Sequence, residues 1–317
     1  MLTLFIATHN GAPTLPRVLG AYARLIEPSG GWKLVVVDNA SDDDTPTIVR
    51  SFADRVPLLL VSEVRRGKNR ALNSALHHLE GDLAVFSDDD AMPQHDWLVQ
   101  LRTTADEHPE YDIFSGRIVA SWDAPPAAWI LDCVDAAPVY GLTPADRADG
   151  PCGPTKVWGP NMAVRADWFR KGYRFDPRLG PNGSARYSMG GETELTLRLA
   201  IAEQALCWHS NAARVQHIIR LRQLSRPWIL RRAFNLGRCL RRESMQSAAA
   251  GRPFVPRGAT AIGAALARGV VDVAAAYRRA DARLQFTARW NLSLWSGCLY
   301  EALGSRYNPP GRHDANS

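Results

Sequence analysis

Alternation of short apolar runs with amphipathic stretches dominates the first ninety residues, and it is the strongest constraint on the fold. The spacing predicts strands at Leu2–Ala7, Lys33–Val37, Leu58–Ser62 and Leu83–Phe86, with helices at Leu15–Ile26, Pro46–Ala53 and Asn69–His78 between them. Strands this continuously apolar are covered on both faces, so the pattern implies right-handed βαβ crossovers and a mostly parallel, Rossmann-like sheet flanked by helices. Ligands in such sheets bind beyond the carboxyl ends of the strands. Three polar clusters fall there: Thr8-His9-Asn10-Gly11, Asp38-Asn39-Ala40-Ser41 and Ser87-Asp88-Asp89-Asp90.

Further along, a strand is expected at Ile113–Ala120, another near Lys156–Val164, then a short helix at Asp167–Lys171. Gly180–Gly191 reads as a mobile Gly/Ser/Asn stretch, and Glu192–Glu203 as a helix. After Val215 the chain reads as helical to Leu303, with a break at Gly251-Arg252-Pro253. Charge divides unevenly along this order. Up to Ala213 there are 20 Lys and Arg against 27 acids, a net −7; beyond it 18 Arg face 5 acids, a net +13. The basic character is therefore a C-terminal property, suited to an anionic surface. No helix-turn-helix, zinc-finger spacing or RNA-recognition aromatic pair accompanies it, so nucleic acid is not an expected partner. Five scattered cysteines without a CxxC pair exclude a disulfide framework and fit a reducing cytoplasm. No uncharged apolar run reaches the roughly 18 residues that span a bilayer.

The run Asp88-Asp89-Asp90 carries the sharpest chemistry. Carboxylates one residue apart at a strand end can point to one hard divalent cation, Mg²⁺ or Mn²⁺. A solvated turn capping the helix at Asp96-Trp97-Leu98 is the alternative. Asp38 can hydrogen-bond a pyrimidine or a ribose, whereas Asp42, Asp43 and Asp44 read as helix caps. The basic loop from Arg65 through Lys68 to Arg70 enters a helix, a setting that suits a diphosphate.

Taken in order, these motifs resemble family 2 glycosyltransferases of the GT-A fold over about residues 1 to 240. Ala7-Thr8-His9-Asn10 resembles the opening P-T-Y-N and Val36–Ser41 the V-D-N-x-S segment. Gly67–Asn73 is similar to G-x-x-x-A-x-N, and Asp88-Asp89-Asp90 to the D-D-D form of the DxD motif. Trp158–Ala163 resembles G-x-N-M-A, Gly190–Arg198 resembles G-E-D-x-E-L-x-x-R, and Val215-Gln216-His217 resembles V-x-H.

The resemblance implies that Thr8, Asn10 and Asp38 border the nucleoside, and that Arg65, Lys68, Asn73, Asp88, Asp89, Trp158 and Gly159 contribute to nucleotide-sugar binding. Asp88, Asp90 and His217 would serve the metal. Glu192 takes the place of the family's catalytic aspartate, with Gly191 where an acid is usual, and Glu194 is its rival. On a helix the two glutamates point about 160–200° apart, which favours Glu192 at the crevice mouth. The implied organisation is a catalytic domain over residues 1–220, divided into a nucleotide-binding half (1–120) and an acceptor half (121–220), followed by a basic helical extension over 221–317. The implied reaction is metal-dependent, inverting sugar transfer from a nucleotide diphosphate to a saccharide or lipid-linked hydroxyl, in cell-surface polysaccharide or glycolipid synthesis. Two other readings are a phosphatase or phosphotransferase using a DxD nucleophile, and a non-catalytic sugar-nucleotide binder. The first needs a downstream lysine and second acidic pair, and only Lys156 and Lys171 are available.

In the C-terminal part, Ile229, Ala233, Leu236 and Leu240 fall on one helical side and Arg231, Arg238 and Arg242 on another. With Trp290, Trp295 and Tyr300 in a later helical segment, this predicts either a packed helix or contact with an anionic membrane surface, which would place a cytoplasmic protein peripherally on the inner face.

Overall fold

The computed structural model describes residues 1–184, 187–249 and 259–304. Its first part runs β1 (Leu2–Thr8), α1 (Leu15–Tyr22), β2 (Trp32–Asp38), α2 (Thr45–Arg50), β3 (Leu58–Ser62), α3 (Lys68–Ala75) and β4 (Leu83–Asp88). These four strands lie in the parallel order β3-β2-β1-β4, as the alternating pattern requires. Period-two alternation sends Leu4, Ile6, Val36 and Val85 to one core and Phe5, Val35, Val37 and Phe86 to the other. Each such fully buried side chain contributes about 1.5–3 kcal/mol. The register sets Thr8 beside Asp38 and Ala7 beside Asp88, so the polar clusters share one sheet edge.

Beyond β4 come β5 (Ala91–Pro93), α4 (Trp97–Glu107), β6 (Ile113–Trp122), α5 (Ala128–Cys133), α6 (Ala136–Tyr140), β7 (Gly150–Cys152), β8 (Met162–Arg165), α7 (Asp167–Arg170), α8 (Gly191–Ala202) and β9 (Cys207–Ile219). The sheet continues as β8-β6-β9-β5, with β7 also on β9. Here β6 and β9 are parallel while β8, β5 and β7 pair antiparallel.

Two expectations need correction. The strand expected near Lys156–Val164 is confined to Met162–Arg165, because Pro154 and Pro160 each open a 3-10 turn ahead of it. The chain after Val215 is not helical from the outset: Val215–Ile219 finishes β9, whose β-branched residues pair with β6, a 3-10 turn follows at Leu221–Leu224, and the α-helix begins at Arg226. The break at Gly251-Arg252-Pro253 lies outside the described residues.

A bulge between Gly116 and Arg117 offsets β6 against β9. Asn161, fully buried, spans it by donating to the carbonyls of Arg117 and Ala213 (3.1 and 2.9 Å) while accepting from the Trp97 indole at 2.9 Å. A Cβ on Gly116 would fall 2.2 Å from both the Ala213 carbonyl oxygen and the Asn161 amide, so the crossing requires glycine.

The C-terminal part is helical: α9 (Arg226–Ala249), α10 (Ala259–Arg278) and α11 (Ala282–Gly304). Helices α9 and α11 touch backbone to backbone at Gly237 and Gly297, where a Cβ would come within 1.9 Å and 2.0 Å of the Leu294 and Phe234 carbonyls. Ile229, Ala233 and Leu236 pack against Phe286 and Trp290. Arg238 and Arg242 do not form a free basic stripe, since both bind the buried carboxylate of Glu301. Among the described residues one segment, Thr260–Arg278 in α10, is long and apolar enough to cross a membrane by length and composition, despite Arg268 and Asp272, and only 17% of it is buried.

Candidate functional site

The end of β4 opens onto a cavity of about 1060 Å³ whose lining includes Lys68, Asp88, Trp158, Glu192 and His217, while Thr8, Asn10 and Asp38 at the ends of β1 and β2 do not line it. Five residues singled out from separate motifs thus meet in one space. Lys68, in the first turn of α3, forms an ion pair with Asp88. Burial alone would lower its pKa, but the carboxylates of Asp88, Glu192 and Asp90 outweigh that and hold it raised and charged.

Two residues after Asp88, Asp90 accepts from His217 Nε2 at 3.2 Å and lies 3.8 Å from Arg220. Against the upward push of burial, these cations and Lys68 lower its pKa. His217 is raised in turn, because the charge of Asp90 overcomes the effect of burial. Asp89 turns the other way, accepting from Thr8 Oγ1 at 2.6 Å. Burial, reinforced by the charge of Asp90, pushes it up to about 7.

The two carboxylates are of the oxygen type that suits a hard divalent cation, whereas His217 would have to give up its Nε2 proton to join them. Two carboxylates follow a strand end, and His217 donates from Nδ1 to the Tyr140 carbonyl at 2.6 Å, which fixes the ring with Nε2 toward Asp90. Histidines that bind metals are oriented by such a bond on the opposite nitrogen. No group of three or more His, Cys, Asp or Glu forms a ready cage among the described residues. A cation here would complete its shell with diphosphate oxygens and water, as Mg²⁺ commonly does.

Glu192 lies in the first turn of α8, and its Oε1 accepts from the Gly159 amide at 3.3 Å. The register that brings it inward depends on Gly191, where a Cβ would stand 2.3 Å from the Asn69 amide nitrogen. No acid can occupy that position without displacing Asn69, which donates to the Asp176 carbonyl at 2.8 Å. Glu194 is 3% exposed and paired with Arg198 at 2.8 Å, and it does not line the cavity.

Other expected residues have local tasks. Both faces of the Asn73 amide are spent on the Phe175 backbone, donating at 2.8 Å and accepting at 2.9 Å. Arg65 pairs with Glu63. Asn10, at φ 55°, accepts from the Asp42 amide, and Asp38 accepts from the Ser41 amide at the end of β2. Asp43 accepts from the Ala12 amide and from the Thr45 amide at the start of α2, in keeping with a capping role.

The sequence reading missed Asn39, whose amide donates to the Glu63 and Arg65 carbonyls and accepts from Gly67, shaping the basic loop. It also missed Tyr140, Arg232, Cys239 and Glu243, which line the cavity from elements remote in sequence. Burial pushes Glu243 up to about 7, with the charge of Glu192 adding and the Cys239 contact and Lys156 opposing. A carboxyl raised on folding stabilises the fold fully below its unfolded pKa near 4.5 and loses that contribution as pH rises through about 7. Thermal unfolding between pH 4.5 and 8 should therefore fall more steeply in the native protein than in Glu243→Gln. Parallel curves would show that Glu243 is not buried as described.

The profile described as Glycosyl transferase family 2 matches residues 3–171, more than half of the chain. Glycosyltransferase AglE of Haloferax volcanii is 29% identical over 100 residues, 31% of this chain and 33% of that protein. A PGL/p-HBAD biosynthesis glycosyltransferase of Mycobacterium bovis is 29% identical over 122 residues, 38% and 47% of the two chains. The matched segments thus span about a third to a half of the length of these curated relatives. Among solved structures, the mannosyltransferase PcManGT of Pyrobaculum calidifontis, in complex with GDP-Man and Mn²⁺, superposes with a TM-score of 0.60 at 20% identity, covering 95% of this chain and 86% of that one. S. aureus TarS 1-349 superposes at 0.53 and 15% identity, covering 97% and 93%. These likenesses agree with the GT-A fold, and the matched profile places the chain in glycosyl transferase family 2.

Proposed function

We propose that the enzyme moves a sugar from a nucleotide-diphosphate donor to a hydroxyl acceptor with inversion, assisted by Mn²⁺ or Mg²⁺, in the synthesis of a cell-surface polysaccharide or glycolipid. The observation that carries this reading is the joint placement of Asp88, Lys68, His217 and Glu192 around one cavity. Residues 1–120 supply the nucleotide side, with Thr8, Asn10 and Asp38 bordering the nucleoside. Residues 121–220 supply Glu192 toward the acceptor, with Trp158 and Gly159 on the nucleotide-sugar side, and residues 221–317 form the basic extension.

Asp88 and Asp90, with His217 alongside, would hold the cation, whose chemistry is to neutralise charge on the departing diphosphate. Lys68 adds a fixed positive charge at the same place. The carboxylate of Glu192 accepts the proton of the acceptor hydroxyl while its oxygen bonds to the anomeric carbon. The bond from that carbon to the diphosphate oxygen breaks, and its electron pair leaves with the nucleotide.

The relatives include a glucosyl-dolichyl phosphate glucuronosyltransferase of Haloferax volcanii, 20% identical over 210 residues, which supports a lipid-linked acceptor. With Arg238 and Arg242 engaged by Glu301, contact with a membrane falls to the outer side of α10, where Val270, Val271 and Tyr277 are exposed. The protein would then act in the cytoplasm, peripherally on the inner leaflet.

Thermal-shift screening of UDP- and GDP-sugars with and without Mn²⁺ tests the donor side, because a specific ligand raises the unfolding temperature by mass action. Nuclear magnetic resonance of the product anomer tests inversion. No stabilisation by any nucleotide sugar would defeat the reading, and a retained configuration would remove Glu192 as base.

A further inference from the structure

One wall of the cavity comes from outside the region that the family profile covers. Leu236 and Leu240 of α9 and Trp290 and Leu294 of α11 line it, within the same space as Glu192. They are held by packing: Leu236 and Trp290 lie in the cluster that joins α9, α11 and the α5–α6 region. Leu240 and Leu294 are also packed against the small cluster that Ile262 of α10 forms with Cys298 of α11. The wall is tied to the catalytic helix too, since a Cβ on Gly190, at the head of α8, would come within 2.4 Å of Cys239 Sγ. The wall is thus continuous by packing with α10, whose outer side exposes Val270 and Val271.

The three leucines of this wall offer no partner to phosphates or hydroxyls, for which Arg232 and Glu243 stand elsewhere on the lining. An alkyl or prenyl chain, by contrast, gains from each methylene removed from water. The same wall packs against the one described helix with an apolar outer side long enough to match a bilayer.

We infer that Leu236, Leu240, Trp290 and Leu294 form the subsite for the hydrocarbon chain of a lipid-linked acceptor, whose reacting hydroxyl is presented to Glu192; this rests on the glycosyl-transfer reading above. The C-terminal helices are then a specificity element of the active site rather than an appended support.

Methyl and octyl glucoside, below micelle-forming concentration, serve as probes of the full chain by calorimetry, with UDP and GDP binding in the presence of Mn²⁺ measured on the same samples. Octyl glucoside should bind at least about tenfold more tightly than methyl glucoside. Leu240→Gln should remove that difference while leaving nucleotide binding intact, and Leu240→Met should retain it, which separates a lost subsite from a lost fold. Val271→Ser, on the exterior of α10, should leave octyl binding unchanged. Equal affinity for the two glucosides overturns the inference, as does octyl binding that survives Leu240→Gln or that Val271→Ser abolishes. Absence of nucleotide binding with the chain preference intact would instead count against the transfer reading.

Discussion

Glu192→Gln should bind its nucleotide sugar like the native enzyme and turn it over about two to four orders of magnitude more slowly, the scale expected for a positioned general base. Glutamine keeps the shape and the oxygen that accepts from the Gly159 amide, so the local structure is retained. What is lost is the ability to take a proton. Glu194→Gln should behave differently. Its carboxylate faces Arg198 in a buried pair and also accepts from Gln246 at 3.2 Å. Neutralising it leaves a buried guanidinium with a weaker partner, which lowers stability more than it touches the chemistry. Steady-state rates, donor affinity and unfolding temperature on both variants separate these effects. If Glu194→Gln loses turnover with unchanged stability while Glu192→Gln stays active, Glu192 is not the base.

Asp90→Ala should abolish the metal-dependent part of nucleoside diphosphate affinity. A loss of at least about tenfold is expected, since even outer partners of metal ligands commonly cost ten- to hundredfold when removed. Asp90 balances Arg220 and keeps His217 charged, so its removal leaves the Arg220 guanidinium without that partner and takes away the main support for charge on His217. Some metal-independent affinity should persist, carried by Arg220 and Lys68. Calorimetry with Mn²⁺ and with chelator reads the two parts separately. Equal affinity in native and variant proteins under both conditions would exclude a metal role for the aspartate motif.

Several residues of the site were recognisable one by one. Asp88, Lys68, Glu192 and His217 each belonged to a local pattern with its own chemistry, and all four face the cavity. Asn73 belonged to an equally clear pattern, yet its amide is consumed by the Phe175 backbone. A motif position reports that a residue type is needed, whereas only its hydrogen-bond partners reveal whether the need is chemical or architectural. Asn39 and Asn161 show the same from the other side, since each organises three backbone or ring partners far apart in the chain.

By itself the sequence determined the parallel half of the sheet and the edge on which the polar clusters emerge. Both follow from local periodicity: an apolar strand must be covered on both faces, and the loops that follow parallel strands share one end. It also separated Glu192 from Glu194, because helical geometry is local. Tertiary structure decided that Val215–Ile219 extends the sheet, because pairing with β6 realises the strand preference that its Val and Ile residues carry. It alone turned Arg238 and Arg242 inward onto Glu301, and brought Leu236, Leu240, Trp290 and Leu294 to the cavity that holds Glu192. Those contacts join residues tens of positions apart, and packing free energy at that separation leaves no period in the chain for a reader to find.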